Sequence, residues 1–368
     1  MKGCLFFNQL LISPLYIQSI PNNIKHTFMI DISVNYAGLR LESPFIAASS
    51  GYTADIEKIV ALSRCGVGAI VLKSLFEEQI NNEINFLESQ SVGYTENADF
   101  LNHYVAAHSI SNYLELIKEA RSRVDVPVIA SICCYTGGNW ISYAREMEDA
   151  GADAIELNIY SIPISSDPMF VSKSSSEIES ENCAIVQRVV KSVKIPVIVK
   201  ISDQYTNLLG FVSRLNAAGA KGVVLFNRFY KPDISLKSMK LVSGNMFSGK
   251  GEYLKSLRWI ALAAAKLRAD SGNTSTRLDF SASTGVHDGN SAIKLILAGA
   301  KTVQLCSVLY QQGPFVVGNF VEELHKFMRD KGFERVADFC GKLNYANIPN
   351  PTDFERVQFL KTAEHYSK

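Results

Sequence analysis

The sequence carries almost no net charge: 37 lysines and arginines against 36 aspartates and glutamates leave +1 over 368 residues. That balance excludes the basic surface that binding a phosphate backbone requires, so nucleic acid is not an expected partner. Cysteine is sparse and poorly spaced for metal. Seven are spread from Cys4 to Cys340 without a C-x-x-C pair, and the adjacent Cys133-Cys134 suits neither a zinc knuckle nor a usual disulfide bridge. An odd, unpatterned set reads as buried free thiols in a reducing, cytoplasmic setting. Only six histidines occur, none in H-x-x-H or H-E-x-x-H spacing, so no metal is expected. No G-x-G-x-x-G follows a strand pattern, which argues against a doubly wound dinucleotide fold, the second choice here.

A long apolar run is also missing. Residues 1–28 are apolar in part, but Asn8, Gln9 and Pro14 interrupt them and no small-residue cleavage site follows. They fall short of the roughly 20 apolar residues of a membrane span, so no stable membrane insertion is expected. Residues 1–28 leave three readings: an amphipathic extension that touches a membrane, a weak signal, or sequence upstream of the native start. The last is preferred because a clean strand pattern opens at Met29 (MIDISVNYAGLRLESPF), and 1–28 are set outside the fold.

What is present is a series of short apolar runs alternating with helix-period stretches. The runs are 44–49, 68–73, 127–133, 153–158, 196–200, 221–227, 278–283 and 302–306. The helical stretches are 56–65, 112–124, 140–150, 182–193, one ending near Ala218, 257–268, 291–298 and 316–331. The runs are continuously apolar rather than alternating, which suits parallel strands covered on both faces. About eight such units in series predict a single-domain (β/α)₈ TIM barrel of class α/β. A glycine recurs between helix end and strand start, at Gly66, Gly151, Gly219 and Gly299, where positive φ closes a helix. The barrel is assigned to 29–340 and a C-terminal tail to 341–368. A plain barrel takes about 250 residues. The excess is placed in a long loop over the mouth at 74–111, a loop at 229–256 and the tail.

Chemistry in such a barrel sits at the C-terminal ends of the strands. The polar residues closing the runs are Ser49, Lys73, Cys133, Asn158, Lys200, Asn227, Thr284 and Cys306-Ser307. One strand-end lysine can simply reach for solvent. Two lysines facing one bowl with two asparagines favour a shared anionic or carbonyl-rich ligand. Thr284-Gly285-Val286 after the seventh strand and Cys306-Ser307 after the eighth lie where barrels often hold a phosphate. His287, in the same stretch, reads as a loop histidine.

Taken in order, Ser43–Ser49, Gly66–Ser74, Glu156-Leu-Asn158-Ile-Tyr-Ser161, Pro196–Lys200, Asn227, Thr284–Val286 and Gly299–Ser307 resemble the dihydroorotate dehydrogenases, FMN-dependent barrels of pyrimidine biosynthesis. The resemblance runs from about residue 30 to about 332. It implies that FMN is held by Ala48, Ser49, Lys73, Ser74, Asn158, Lys200, Thr284, Gly285, Cys306 and Ser307. Lys200 would lie near flavin N1 and O2. Ser161 falls at the catalytic base, with Lys73 approaching the substrate, and Asn158, Asn227 and Arg228 at the substrate. The implied reaction oxidises a C–C bond beside a carbonyl: a base takes the acidic proton and flavin N5 takes hydride. The chain departs from the family at Pro163, at Arg228 and in a missing pyrimidine-gripping loop near 76–110. The alternative is therefore an FMN- or phosphate-binding barrel with another substrate or no turnover. A flavin-free lyase or isomerase barrel is a third reading. Fumarate or oxygen is the expected acceptor, and a homodimer the expected assembly.

Overall fold

The computed structural model describes residues 30–77, 98–134, 138–159, 173–229, 231–269 and 278–355. The chain starts under the barrel with a hairpin, β1 (Val34–Tyr36) and β2 (Leu39–Leu41). Tyr36 is fully buried, and the Ala37 amide donates to Asp279 Oδ2 at 3.0 Å, which ties the hairpin to the N-terminal ends of the strands. The sheet follows: β3 (Phe45–Ala47), α1 (Ile56–Ser63), β4 (Ala69–Val71), the short β5 (Leu75–Phe76), α2 (Ala98–Arg123), β6 (Val128–Cys133), α3 (Asn139–Asp149), β7 (Ala154–Ile159), α4 (Ser175–Ser192), β8 (Val197–Ile201), α5 (Leu208–Ala217) and β9 (Gly222–Leu225). An antiparallel hairpin, β10 (Pro232–Ser235) and β11 (Lys240–Ser243), precedes α6 (Tyr253–Ala269). The circuit ends with β12 (Asp279–Ala282), α7 (Gly289–Ala298), β13 (Thr302–Leu305), α8 (Ser307–Gln312), α9 (Val316–Lys331) and α10 (Thr352–Glu355).

Parallel pairing runs β4–β3–β13–β12–β9–β8–β7–β6, and β6 pairs back to β4 at Ile70↔Val128, closing eight strands into a barrel. The predicted single-domain (β/α)₈ fold is therefore observed. β6, β7 and β8 are buried at every position because one face fills the barrel and the other lies under helices, which is why their sequences do not alternate. All four predicted glycines have positive φ. At Gly299 the requirement is also steric: a Cβ there would lie 2.6 Å from Ala264 Cβ, so only glycine lets α6 and α7 approach. Helix starts are set by side-chain caps, Asp55 to Lys58 N, Asn207 to Gly210 N and Asp288 to Ser291 N, each satisfying an otherwise unbonded first-turn amide.

Two loops of the sequence reading are corrected. The stretch 74–111 contains β5 and the start of α2 at Ala98, and 229–256 contains the β10–β11 hairpin. The described part of the tail packs on the barrel helices, with Gly341 N donating to Ile296 O and Tyr345 N to Ala261 O. The extension 1–28 lies outside the described residues.

Candidate functional site

The strand ends converge on a cavity of about 310 Å³ at the C-terminal mouth. Ala48 and Ser49 after β3, Lys200 in β8, Asn227 and Arg228 after β9, Thr284 and Gly285 after β12, and Cys306 and Ser307 after β13 all line it. Lys73 and Ser74 line a neighbouring cavity of about 530 Å³ beside α2. A hydroxyl chain joins the two sides: Ser49 Oγ and Ser74 Oγ are 3.0 Å apart, and Ser74 Oγ and Ser131 Oγ 2.7 Å. Asn158 is reached through Asn227, whose Nδ2 donates to Asn158 Oδ1 at 2.7 Å while its Oδ1 accepts from the Arg228 amide at 2.8 Å. That sequence of bonds fixes both side-chain amides at the rim. Ser161 and Pro163 lie outside the described residues.

Lys200 forms part of the floor. Its side chain is only 7% exposed, and Nζ donates to Gln304 Oε1 at 2.8 Å. Gln304 Nε2 in turn donates to Glu156 Oε2 at 2.6 Å. An ammonium so placed can stabilise negative charge that develops on a ligand above it, in a site where little water screens the interaction.

The β12 and β13 ends are held by a loop that carries Ser248. Its amide and its Oγ both donate to Ser307 Oγ at 3.0 Å, and its carbonyl lies 2.8 Å from His287 Nε2. His287 is thus a buried loop tether, as expected. Gly285 has φ +78°, and a Cβ there would lie 2.4 Å from Tyr253 N. Its close approach is to the start of α6. Burial pushes the Cys306 thiol above its ordinary range, with Lys200 and Ser50 pulling part of the way back, so Cys306 is a neutral wall residue rather than a thiolate.

Arg228 does not stand free at the rim. Its Nε donates to Glu252 Oε2 at 3.2 Å and its Nη1 to the Asn245 and Met246 carbonyls at 3.1 Å. Burial works against the Glu252 charge, but the Gly249 amide and Arg228 outweigh it, and the carboxyl lies below its usual range. Among the described residues, no three His, Cys, Asp or Glu side chains are grouped to hold a metal, and no helix is long and apolar enough to cross a membrane.

The site contains residues the sequence reading passed over: Gln304 and Glu156, each two positions before a flagged strand-end residue and so on the same face one layer deeper, and Ser248, which nothing local marks.

A closed parallel barrel with its polar residues gathered at the C-terminal mouth defines an α/β-barrel enzyme. The family model described as dihydroorotate dehydrogenase matches residues 31–328, and the chain belongs to that family, as an oxidoreductase acting on a CH–CH group. It is similar to the catalytic subunit of dihydroorotate dehydrogenase B (NAD(+)) of Thermoplasma acidophilum, 26% identical over 335 residues, 85% of this chain and 99% of that protein. The Methanocaldococcus jannaschii protein of the same name is 26% identical over 306 residues, 82% of this chain and 94% of its own. The Escherichia coli K12 NAD-dependent dihydropyrimidine dehydrogenase subunit PreA is 24% identical over 342 residues, 87% and 78% respectively.

Proposed function

We propose that the protein is an FMN-dependent oxidoreductase of pyrimidine biosynthesis, oxidising dihydroorotate or a close relative at the C–C bond beside its carbonyl. The observation that carries this is Lys200, a buried ammonium in the cavity floor, where negative charge would develop on a reduced ring. The donor set fits FMN. Ala48 offers a small wall, Lys200 an N–H for an electron-rich ring oxygen, and Ser307 and the backbone around Thr284 and Gly285 polar groups for a phosphate, the Thr284 hydroxyl itself donating to the Phe226 carbonyl at 3.0 Å. When bound, FMN supplies the hydride acceptor.

The remaining steps fall to the chain. Asn158, with its amide oriented by Asn227, donates to the substrate carbonyl region, and Asn227 closes that side of the rim. Arg228 adds positive charge to the wall, largely offset by Glu252. Lys73 and Ser74 approach from the neighbouring cavity. Ser161 Oγ, by its position in the family motif, takes the acidic proton from the carbon beside the carbonyl. Cytoplasmic location, a homodimer, and fumarate or oxygen as acceptor complete the proposal.

The test is the visible spectrum of purified protein before and after anaerobic dihydroorotate. The expected result is a yellow protein that bleaches. Flavin without bleaching removes dihydroorotate as substrate, and bleaching by an uncharged dihydropyrimidine instead would follow the name of the Escherichia coli relative. A colourless protein that cannot be reconstituted with FMN removes the flavoenzyme.

A further inference from the structure

Beneath the cavity floor lies a polar layer that the reaction above leaves unused. Glu156, in β7, is buried with its side chain 1% exposed, in a barrel filled mainly by apolar groups. Gln304, from β13 across the barrel, stands between it and Lys200. Its Nε2 donates to Glu156 Oε2 at 2.6 Å, and its Oε1 accepts from Lys200 Nζ at 2.8 Å. An ammonium only donates and a carboxylate only accepts, so these two neighbours dictate the orientation of the amide. The second carboxylate oxygen, Oε1, has no hydrogen-bond partner and lies 3.5 Å from Nζ.

Lys200 Nζ and Glu156 Oε1 form a buried ion pair, but at 3.5 Å it is longer than a hydrogen-bonded one. A tighter pair would turn Lys200 down onto Glu156 and cancel most of its field. Gln304 Oε1 takes the Nζ hydrogen bond at 2.8 Å instead, which keeps Nζ at the cavity surface with the counter-charge behind it. The arrangement is neutral as a whole and keeps a directed positive charge for a ligand that gains negative charge.

We propose that Glu156 and Gln304 are positioning residues that set how much of the Lys200 charge reaches the cavity ligand, a ring that becomes anionic on reduction. The proposal rests on the flavin reading above. Its signature is electrostatic. Removing the Glu156 charge leaves Lys200 unopposed and favours the reduced ligand. Removing Lys200 leaves a bare carboxylate facing the ligand and disfavours it. Removing both cancels.

The experiment measures the midpoint potential of bound FMN in the full-length holoprotein, by equilibration with a dye of known potential, for Glu156→Gln, Lys200→Met and the double variant. Unfolding of the apoprotein is followed in parallel. Glu156→Gln is expected to shift the equilibrium about tenfold toward the reduced form, about 30 mV upward for a two-electron couple. Lys200→Met is expected to shift it at least as far in the opposite direction, and the double variant to return toward wild type. An unchanged potential in Glu156→Gln, or a double variant no better than Lys200→Met, overturns the proposal and leaves Glu156 a packing residue. Should Glu156→Gln not fold, Gln304→Met decides: Nζ closes on Glu156 and the potential falls, and an unchanged potential overturns the proposal. If wild type takes up no FMN, the flavin reading fails separately. The relay is then judged on the apoprotein, where Glu156→Gln must restore stability lost through Lys200→Met or the coupling is refuted.

Discussion

Inside the barrel, Glu156, Gln304 and Lys200 are each almost wholly buried and bonded to one another, while on the same rim the β10–β11 hairpin leaves Leu236 84% and Met239 81% exposed. Strand pairing on both sides fixes the first group, since a residue facing into a closed barrel has no way out. Among the described residues the strands of the hairpin pair only with each other, Pro232↔Ser243 through Ser235↔Lys240, and no strand of the barrel pairs with them. Between the two lies a clamped segment, 245–252, held by Arg228, Glu252 and the Ser248–Ser307 bonds. The connection from β9 to α6 thus divides into an open hairpin and a fixed wall of the site. Position along the chain says less about order than which groups are tied to a strand end.

The largest effect that would test this contrast is in the packed shell. Phe211 in α5 is fully buried and stacks on Tyr205 at 4.2 Å between ring centroids. Phe211→Ala is expected to cost about 3–5 kcal/mol in denaturant unfolding, from lost burial and the cavity left behind. Lys200→Ala, at the floor, is expected to slow flavin reduction by dihydroorotate about 10²–10³-fold in stopped-flow measurements, the usual loss for one donor to developing charge. An unchanged rate would favour a barrel without turnover. Arg228→Ala removes bonds from a charged donor, together about 1.5–3 kcal/mol, and is expected to speed hydrogen exchange at 245–252 while amides of β7 and β8 keep their protection.

The same clamp has a pH signature. The Glu252 carboxyl is depressed in the folded protein, so its contribution is complete above the ordinary value of 4.5 and is lost as pH falls through the lower folded value. Protection of the 245–252 amides, taken relative to their intrinsic exchange at each pH, is expected to hold steady down to about pH 4.5 and to fall below it. The smallest effect belongs to the hairpin: Leu236→Ser is expected to change stability by no more than about 0.5 kcal/mol. A larger loss would mean that this face is covered in solution, and a concentration dependence of that loss would identify a second copy of the chain as the cover.

Much of this was legible in the residues. Continuous apolar runs placed all eight barrel strands, and the apolar period of 316–331 matched its helix end to end, with Gly332 in the left-handed conformation closing it. The early turns of α2 were not legible because Asn102, His103 and His108 break the apolar period there. The start of α4 was hidden in Lys173-Ser-Ser-Ser-Glu177, which reads as a loop until Ser174 and Glu177 are seen to cap one another. Strand-end residues of the cavity were found because barrel geometry says where to look. Gln304 and Glu156 were missed because attention to the last residue of a run overlooks its same-face neighbour two positions earlier. Ser248 could not have been found, since its contacts with Ser307 and His287 depend on how a surface segment folds back over the mouth.

The base of the hairpin has one more consequence. Gly244 N donates to Lys231 O at 2.9 Å, so the chain leaves and re-enters the rim at nearly one point, and a Cβ on Gly244 would lie 2.4 Å from that carbonyl. Twelve residues, 232–243, therefore hang from a pinched neck as an exchangeable module. They can be shortened, lengthened or replaced by a recognition sequence with small entropic cost, while β8, which carries Lys200, and β9, which Asn227 follows, keep their register.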